Sequence, residues 1–193
     1  MQDFRPAPRR PTLDFVRILA CSVVSLLVIV APAAASSGTG GGTAAPATAP
    51  AAPSTAAKLP TGGLARSPRG APPAVRGAIR AGNWLQTFPY RYGGGHEDFI
   101  DDAYDCSGAV SFALHGGGLV DAPMDSSELM EWGEPGPGAW ITVYANADHA
   151  YIVIAGLRLD TSAAADPGGE SGPRWRPALR DPSDFVARHP AGL

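Results

Sequence analysis

The sequence predicts an α+β fold with an antiparallel sheet, on three observations. Apolar residues recur at helical spacing in the first part of the folding region, strand-like runs follow, and a tight turn joins the last two runs. Helices grouped before strands, instead of alternating with them, argue against a parallel sheet. The region that can fold starts near Ala74, and its roughly 120 residues suffice for one domain with one core.

Residues 1–35 read as an export signal. Arg5, Arg9, Arg10 and Arg17 precede an uncharged run from Ile18 to Val30, and Ala33-Ala34-Ala35 offers a small-residue cleavage site. The uncharged stretch 18–35 is also just long enough for a membrane anchor; Pro32 and the alanine-rich finish favour the signal peptide. Arginines on the amino side keep that end in the cytoplasm in both cases. The expected location is therefore outside the cell, secreted or, alternatively, anchored through residues 18–35. Residues 36–73 are Ala, Pro, Thr, Gly and Ser with almost no large apolar side chain. Such a stretch buries too little surface to offset its ordering entropy, so it is expected to be a disordered spacer.

Within 74–193, Ala74 to Leu85 carries Val75, Ile79 and Leu85 on one helical face, despite Gly77 and Gly82, and Phe88-Pro89-Tyr90 ends it. A loop with Glu97, Asp98, Asp101 and Asp102 follows; like most charge clusters it is expected to be solvated. A second helix begins near Asp105, with Val110 and Leu114 at helical spacing from Cys106, and stops at the glycines 116–118. Ser126 to Trp132 forms a short helix, and Pro135-Gly136-Pro137-Gly138 a turn. Strands are expected over Ala139–Tyr144, His149–Ala155 and Leu157–Thr161, the last two joined through Ala155-Gly156. Beyond about residue 165 the chain reads as a tail packed by Trp175 and Phe185. Its Arg174 and Arg176 suit either substrate carboxylates or, more commonly, surface ion pairs.

Cys106 is one of two cysteines, and the other, Cys21, lies in the leader, so no intramolecular disulfide is expected. A lone cysteine is by habit a small buried hydrophobe. At a helix start, however, it meets the positive end of the macrodipole and unclaimed N–H donors, and both favour the nucleophilic thiolate. His149, at the head of a strand, is held by paired backbone. The hairpin brings Asp160 back beside it, where a carboxylate can fix the ring's tautomer and orientation. A nucleophile, a base and an orienter together describe acyl transfer.

Tyr90, Tyr92-Gly93-Gly94, Asp105-Cys106-Ser107-Gly108-Ala109-Val110, Pro137-Gly138-Ala139-Trp140 and His149 resemble the NlpC family of papain-like bacterial cell-wall peptidases. The resemblance spans about residues 75–165. It implies a circularly permuted papain-like domain with the nucleophile helix packed on a small antiparallel sheet. It also implies hydrolysis of the γ-D-glutamyl to diamino-acid bond in peptidoglycan stem peptides. By position it makes Cys106 the nucleophile, His149 the base and Asp160 the third polar member. Tyr90 matches the tyrosine beside the nucleophile, able to assist the oxyanion or line the pocket. Asp105 and Ser107 match positions that recognise the substrate's amino side, although Asp105 also suits a helix N-cap. The acidic loop before Cys106, the short stretch between Gly118 and Trp140, and everything after Asp160 depart from the family pattern.

The chain carries 15 basic and 18 acidic residues, of which the first 35 hold 4 and 2, leaving 11 minus 16, or −5, for the exported part. With no basic patch interleaved with aromatics, nucleic acid is not an expected partner. None of His96, His115 and His189 has metal spacing, His115 being expected at the helix carbonyls, and neither metal nor cofactor is expected. Nothing calls for an obligate assembly, so a monomer is expected. The function expected is an exported cysteine endopeptidase. The alternatives are an amidase or acyltransferase using the same thiol, or a non-catalytic module that binds wall peptide.

Overall fold

In the computed structural model, α1 (Pro73–Trp84) begins with proline at its first helical position and buries Val75, Ala78 and Ile79 on one face. A 3₁₀ turn over Leu85–Thr87 continues it. The structure describes residues 55–164, 172–176 and 179–193. The expected signal peptide or anchor over 1–35 lies outside them.

α2 (Cys106–Gly116) is apolar nearly all round and is the central helix of the core. It crosses α1 at glycines: a Cβ on Gly77 would collide with the Gly116 carbonyl. The two glycines that weaken α1 as an isolated helix are what its packing needs, since Gly82 makes room for the Trp175 indole. α3 (Ser126–Glu131) is short and starts with a capping box between Asp125 and Glu128.

The helices pack on a six-stranded antiparallel sheet of spatial order β1-β6-β2-β3-β4-β5. Its strands are β1 (Glu134–Pro135), β2 (Ile141–Ala145), β3 (Ala150–Ile154), β4 (Leu157–Asp160), β5 (Arg174–Arg176) and β6 (Val186–His189). The α+β class and the antiparallel sheet expected from sequence are therefore present. The tight hairpin is present as well: Ile154 pairs with Leu157, and Ala155 (φ 49°) and Gly156 (φ 82°) both take the left-handed values that a two-residue turn of this kind requires.

Three expectations need revision. The sequence ended the disordered spacer at residue 73, but residues 55–72 are ordered against the domain. Lys58 pairs with Arg66, the Ala57 N–H donates to the Ala155 carbonyl at 2.8 Å, and Ala65 and Ala71 are buried. Small side chains contribute little burial each, but Asn83 holds this backbone by exchanging two hydrogen bonds with Ala65. The region after Asp160 is also more than a packed tail. β5 extends the sheet beyond β4, placing Trp175 opposite Leu159, and β6, the last strand in sequence, inserts between β1 and β2. Finally, His149 stands just before β3 instead of opening it.

Candidate active site

The Cys106 end of α2 is shaped by its neighbours. Asp105 is the N-cap, its Oδ1 accepting from the Gly108 N–H at 2.8 Å, while its Oδ2 accepts from the Gly93 N–H at 3.0 Å. The Asp105 N–H in turn donates to the Gly94 carbonyl at 3.1 Å. A Cβ on Gly108 would strike that same carbonyl, and one on Gly94 would strike the Ala103 carbonyl. The glycines on either side of the cysteine therefore let loop and helix start touch backbone to backbone. The acidic loop faces solvent as expected, with Glu97, Asp98 and Asp102 exposed, and it is also tied down. Arg91 pairs with Asp101 and Asp102, and Asp101 accepts from the Gly95 N–H at 2.9 Å.

His149 is placed by Asn146. The Asn146 Oδ1 accepts from the His149 N–H at 2.9 Å, and the Asn146 N–H donates to the His149 carbonyl at 2.9 Å. Asp160, the last residue of β4, has a fully buried side chain, and its Oδ1 lies 2.8 Å from His149 Nε2. A carboxylate only accepts, so Nε2 carries a proton and donates it. The ring is also hydrogen-bonded to Cys106, and Nδ1 is the nitrogen left for that bond. The Ala150 N–H is a second donor to the sulfur. Cys106, His149 and Asp160 thus come together in one chain of hydrogen bonds.

Their protonation states follow from this geometry. Burial pushes the Cys106 thiol up, but the His149 hydrogen bond, the Ala150 N–H and the His149 charge outweigh it, and the thiol falls below its ordinary range. Burial pulls His149 down, yet hydrogen bonds to Asp160 and Cys106, reinforced by their charges, raise it to about 9. Both directions favour a thiolate–imidazolium pair.

Open space lies on both sides of the pair. His149 lines a pocket of about 360 Å³ with Tyr90, Thr161 and Ser162. Cys106 lines another of about 410 Å³, whose walls include Tyr92, His96, Asp105, Ser107, Asp125 and Asp148. Among the described residues, the second pocket gathers three carboxylates and no lysine or arginine. Tyr90, expected beside the nucleophile, is half-exposed and lines the pocket that His149 borders, not the one that Cys106 borders. Asp105 and Ser107 border the cysteine but are only 4 % and 3 % exposed. His96 Nε2 sits 2.9 Å from Asp105 Oδ1 and 3.1 Å from Ser107 Oγ, so both are engaged within the protein. Arg174 and Arg176 do not line these pockets. Arg176 is buried, donating to the Asp160 and Thr161 carbonyls, and Arg174 donates to the Phe88 carbonyl. His115 stacks on Phe99 and bonds the Val120 carbonyl instead of its own helix. Among the described residues, no group of three or more His, Cys, Asp or Glu is arranged to hold a metal ion. No helix among them is long and apolar enough to cross a membrane.

No family model and no curated protein matches the sequence. Among solved structures, the chain is similar to a mutated form of the resuscitation-promoting-factor interacting protein RipA, with 20% identity over 69% of this chain and 71% of that one, at a TM-score of 0.44. It is similar to the peptidoglycan hydrolase RipB of Mycobacterium tuberculosis, with 23% identity over 60% and 64% and a TM-score of 0.43. It is also similar to RipD of the same organism, described as a non-catalytic NlpC/p60 domain protein adapted to peptidoglycan binding, with 14% identity over 61% and 98% and a TM-score of 0.41.

Sequence reasoning missed several residues that hold the site. Arg158 Nε and Arg180 Nη1 each lie 3.4 Å from Asp160 Oδ2. The Phe185 ring meets the His149 ring edge-on, with centroids 6.3 Å apart. For Asn146 there was a signal, since Asn-Ala-Asp between two strand runs is turn chemistry. For Arg158, an arginine alternating with Leu157 and Leu159 gives no sign of being buried at 1 % exposure. Arg180 and Phe185 lie in a segment without local periodicity, and nothing there announced a return to the site.

Proposed function

We propose that the chain is an exported cysteine endopeptidase acting on peptidoglycan stem peptides, with the γ-D-glutamyl to diamino-acid bond as its target. The observation that carries this reading is the placement of His149, bonded to Cys106 on one side and to the buried Asp160 on the other. Cys106, as thiolate, attacks the scissile carbonyl. His149 holds the proton that it passes to the departing amine, and Asp160 keeps the imidazolium aligned and charged through the step. Water, deprotonated by the now neutral His149, then hydrolyses the thioester and restores the pair. The backbone N–H of Cys106 belongs to the first turn of α2, where helices leave donors outside the ladder. It is the natural partner for the oxyanion, and such a donor contributes about 3 kcal/mol to the transition state.

The substrate class rests on the resemblance of residues 75–165 to cell-wall peptidases and on the charge of the site. A pocket edged by Asp105, Asp125 and Asp148 suits a peptide with a free amine, as a diamino acid supplies. Export rests on the N-terminal sequence. The test is mass spectrometry of defined stem peptides incubated with the purified chain, beside Cys106→Ala. New fragments from the parent alone are expected, and their masses identify the bond. Peptides that stay intact but bind both proteins equally would replace the enzyme with a wall-peptide binding module.

A further inference from the structure

We propose that Arg180 is a positioning residue of this site: it locks the carboxylate of Asp160 so that His149 stays aligned on Cys106. This makes the C-terminal segment part of the active site. The inference rests on the peptidase reading for its consequence in catalysis, and on geometry for its cause.

The two oxygens of Asp160 are divided. Oδ1 serves His149 at 2.8 Å and accepts from the Ser162 N–H at 2.8 Å. Oδ2 faces Arg158 Nε and Arg180 Nη1, both at 3.4 Å. The terminal torsion of an aspartate is soft, and its two oxygens turn together, so a contact to Oδ2 also restrains the oxygen that serves His149. Arg158 sits two residues before Asp160 on β4 and moves with that strand. Arg180 approaches from a separate segment, and its contact ties Oδ2 to a residue outside β4.

Arg180 is itself seated. Its guanidinium carbon stands 5.4 Å from the Tyr151 ring centroid and 5.0 Å from that of Phe185, within cation–π reach of both. Phe185 also packs edge-on to Tyr151 and His149, with centroids 5.1 Å and 6.3 Å away. The preceding Asp184 carbonyl accepts from the amide of Asn146, the residue that places the His149 backbone. β6 then fixes this segment to β2. A tail that served only to complete the sheet would need none of these contacts to the groups that hold His149.

The charges bearing on His149 come from several elements: Cys106 on α2, Asp160 and Arg158 on β4, Arg180 on the C-terminal segment, and the adjacent Asp148. Removing Arg180 has two opposed effects. One fewer cation favours the imidazolium, while a freed Oδ2 disorders the hydrogen bond that sustains it. Positioning requires the second effect to dominate.

The experiment measures iodoacetamide alkylation of Cys106 from pH 5 to 9 in the full chain, resolved from Cys21 by mass spectrometry of the peptides. Arg180→Gln and Arg180→Lys are compared with the parent, alongside stem-peptide kinetics and thermal melting. At pH 6, Arg180→Gln should react about tenfold more slowly, a change of about one unit in the thiol's effective titration. Its kcat should fall by a similar factor with KM nearly unchanged, and Arg180→Lys should recover part of both. A parent-like pH profile together with a lowered melting temperature would overturn the inference, leaving Arg180 a fold support. Faster alkylation at pH 6 would overturn it too, leaving Arg180 a repulsive charge only. If Arg180→Gln does not fold, Phe185→Leu removes half of the aromatic seat while keeping every charge. It must slow alkylation at pH 6, and a parent-like rate refutes positioning. A parent that cuts no stem peptide, with the alkylation profile still displaced by Arg180→Gln, sinks the substrate reading and upholds the positioning.

Discussion

Replacing Asp160 with asparagine separates charge from geometry at the centre of this site. Asparagine keeps an oxygen that can accept from His149 Nε2 and from the Ser162 N–H, so His149 need not move. What disappears is the negative charge. His149 is raised from 6.5 to about 9, which at about 1.4 kcal/mol per pH unit is a preference for the protonated ring of roughly 3 kcal/mol. Burial opposes that preference, and the Asp160 hydrogen bond is the first of the contributions that overcome it, followed by the one from Cys106. If Asp160 supplies about half, Asp160→Asn removes between about 1 and 2 kcal/mol, or about tenfold in the population of the ion pair. Iodoacetamide alkylation of Cys106 at pH 6 should slow by about that factor, and its pH profile should move toward the ordinary thiol range of about 8.5. Stability should fall for a separate reason. Arg158 and Arg180 each lose a carboxylate neighbour, so the fold should be measurably less stable. Urea denaturation reads the second effect independently of the first. An alkylation profile that stays in place while stability drops would refute the assignment of Asp160 as the group that sustains the imidazolium.

Two further outcomes follow from the same geometry. His149 titrates higher in the folded protein than its unfolded value of 6.5, so its contribution to stability is complete below pH 6.5 and is lost as pH rises toward 9. The thiol titrates lower when folded and therefore acts oppositely up to its unfolded value of 9.0. The two compensate in the parent, and Cys106→Ser, which cannot ionise, should expose the His149 decline. Its melting temperature should fall between pH 6.5 and 9 where that of Cys106→Ser/His149→Gln stays level, and equal slopes would contradict the raised His149. Gly108→Ala should destabilise the fold, although alanine is better in a helix by about 1 kcal/mol, because its methyl would strike the Gly94 carbonyl. A gain in denaturation midpoint would mean that loop and helix do not meet there.

How much was legible in the sequence depended on whether the signal was local. The Cys106 helix, its cap at Asp105, the Ala155-Gly156 turn and the meeting of Asp160 with His149 all follow from spacing and turn chemistry within a few residues. β5 and β6 were missed because each is only three or four residues long, and each is a strand chiefly because a sheet edge awaits it. Arg158 and Arg180 were missed because an arginine carries no mark of its destination, and only the pairing of distant segments puts both on Asp160. The order of residues 55–72 was missed because composition counts apolar side chains, while Asn83 holds this stretch by its backbone.

The helix start, on which a sequence argument for thiol activation leans, also carries its own opposition. Asp105 caps α2 with a carboxylate beside Cys106, and that charge pushes the thiol upward. The cap also claims the Gly108 N–H, one of the donors that would otherwise favour an anion at the helix start. The His149 hydrogen bond and charge and the Ala150 N–H lower the thiol against burial and the Asp105 charge. Asp105→Asn tests this division, because asparagine caps helices about as well and bears no charge. It should shift the Cys106 alkylation profile to lower pH. At the same time an amide nitrogen would face the Gly93 N–H that Oδ2 now accepts, an unmet donor costing about 1–3 kcal/mol of stability. Activation and stability should thus move in opposite directions. A profile shifted upward would mean that the Asp105 charge assists the thiolate, by ordering His96 and the loop, more than it repels it.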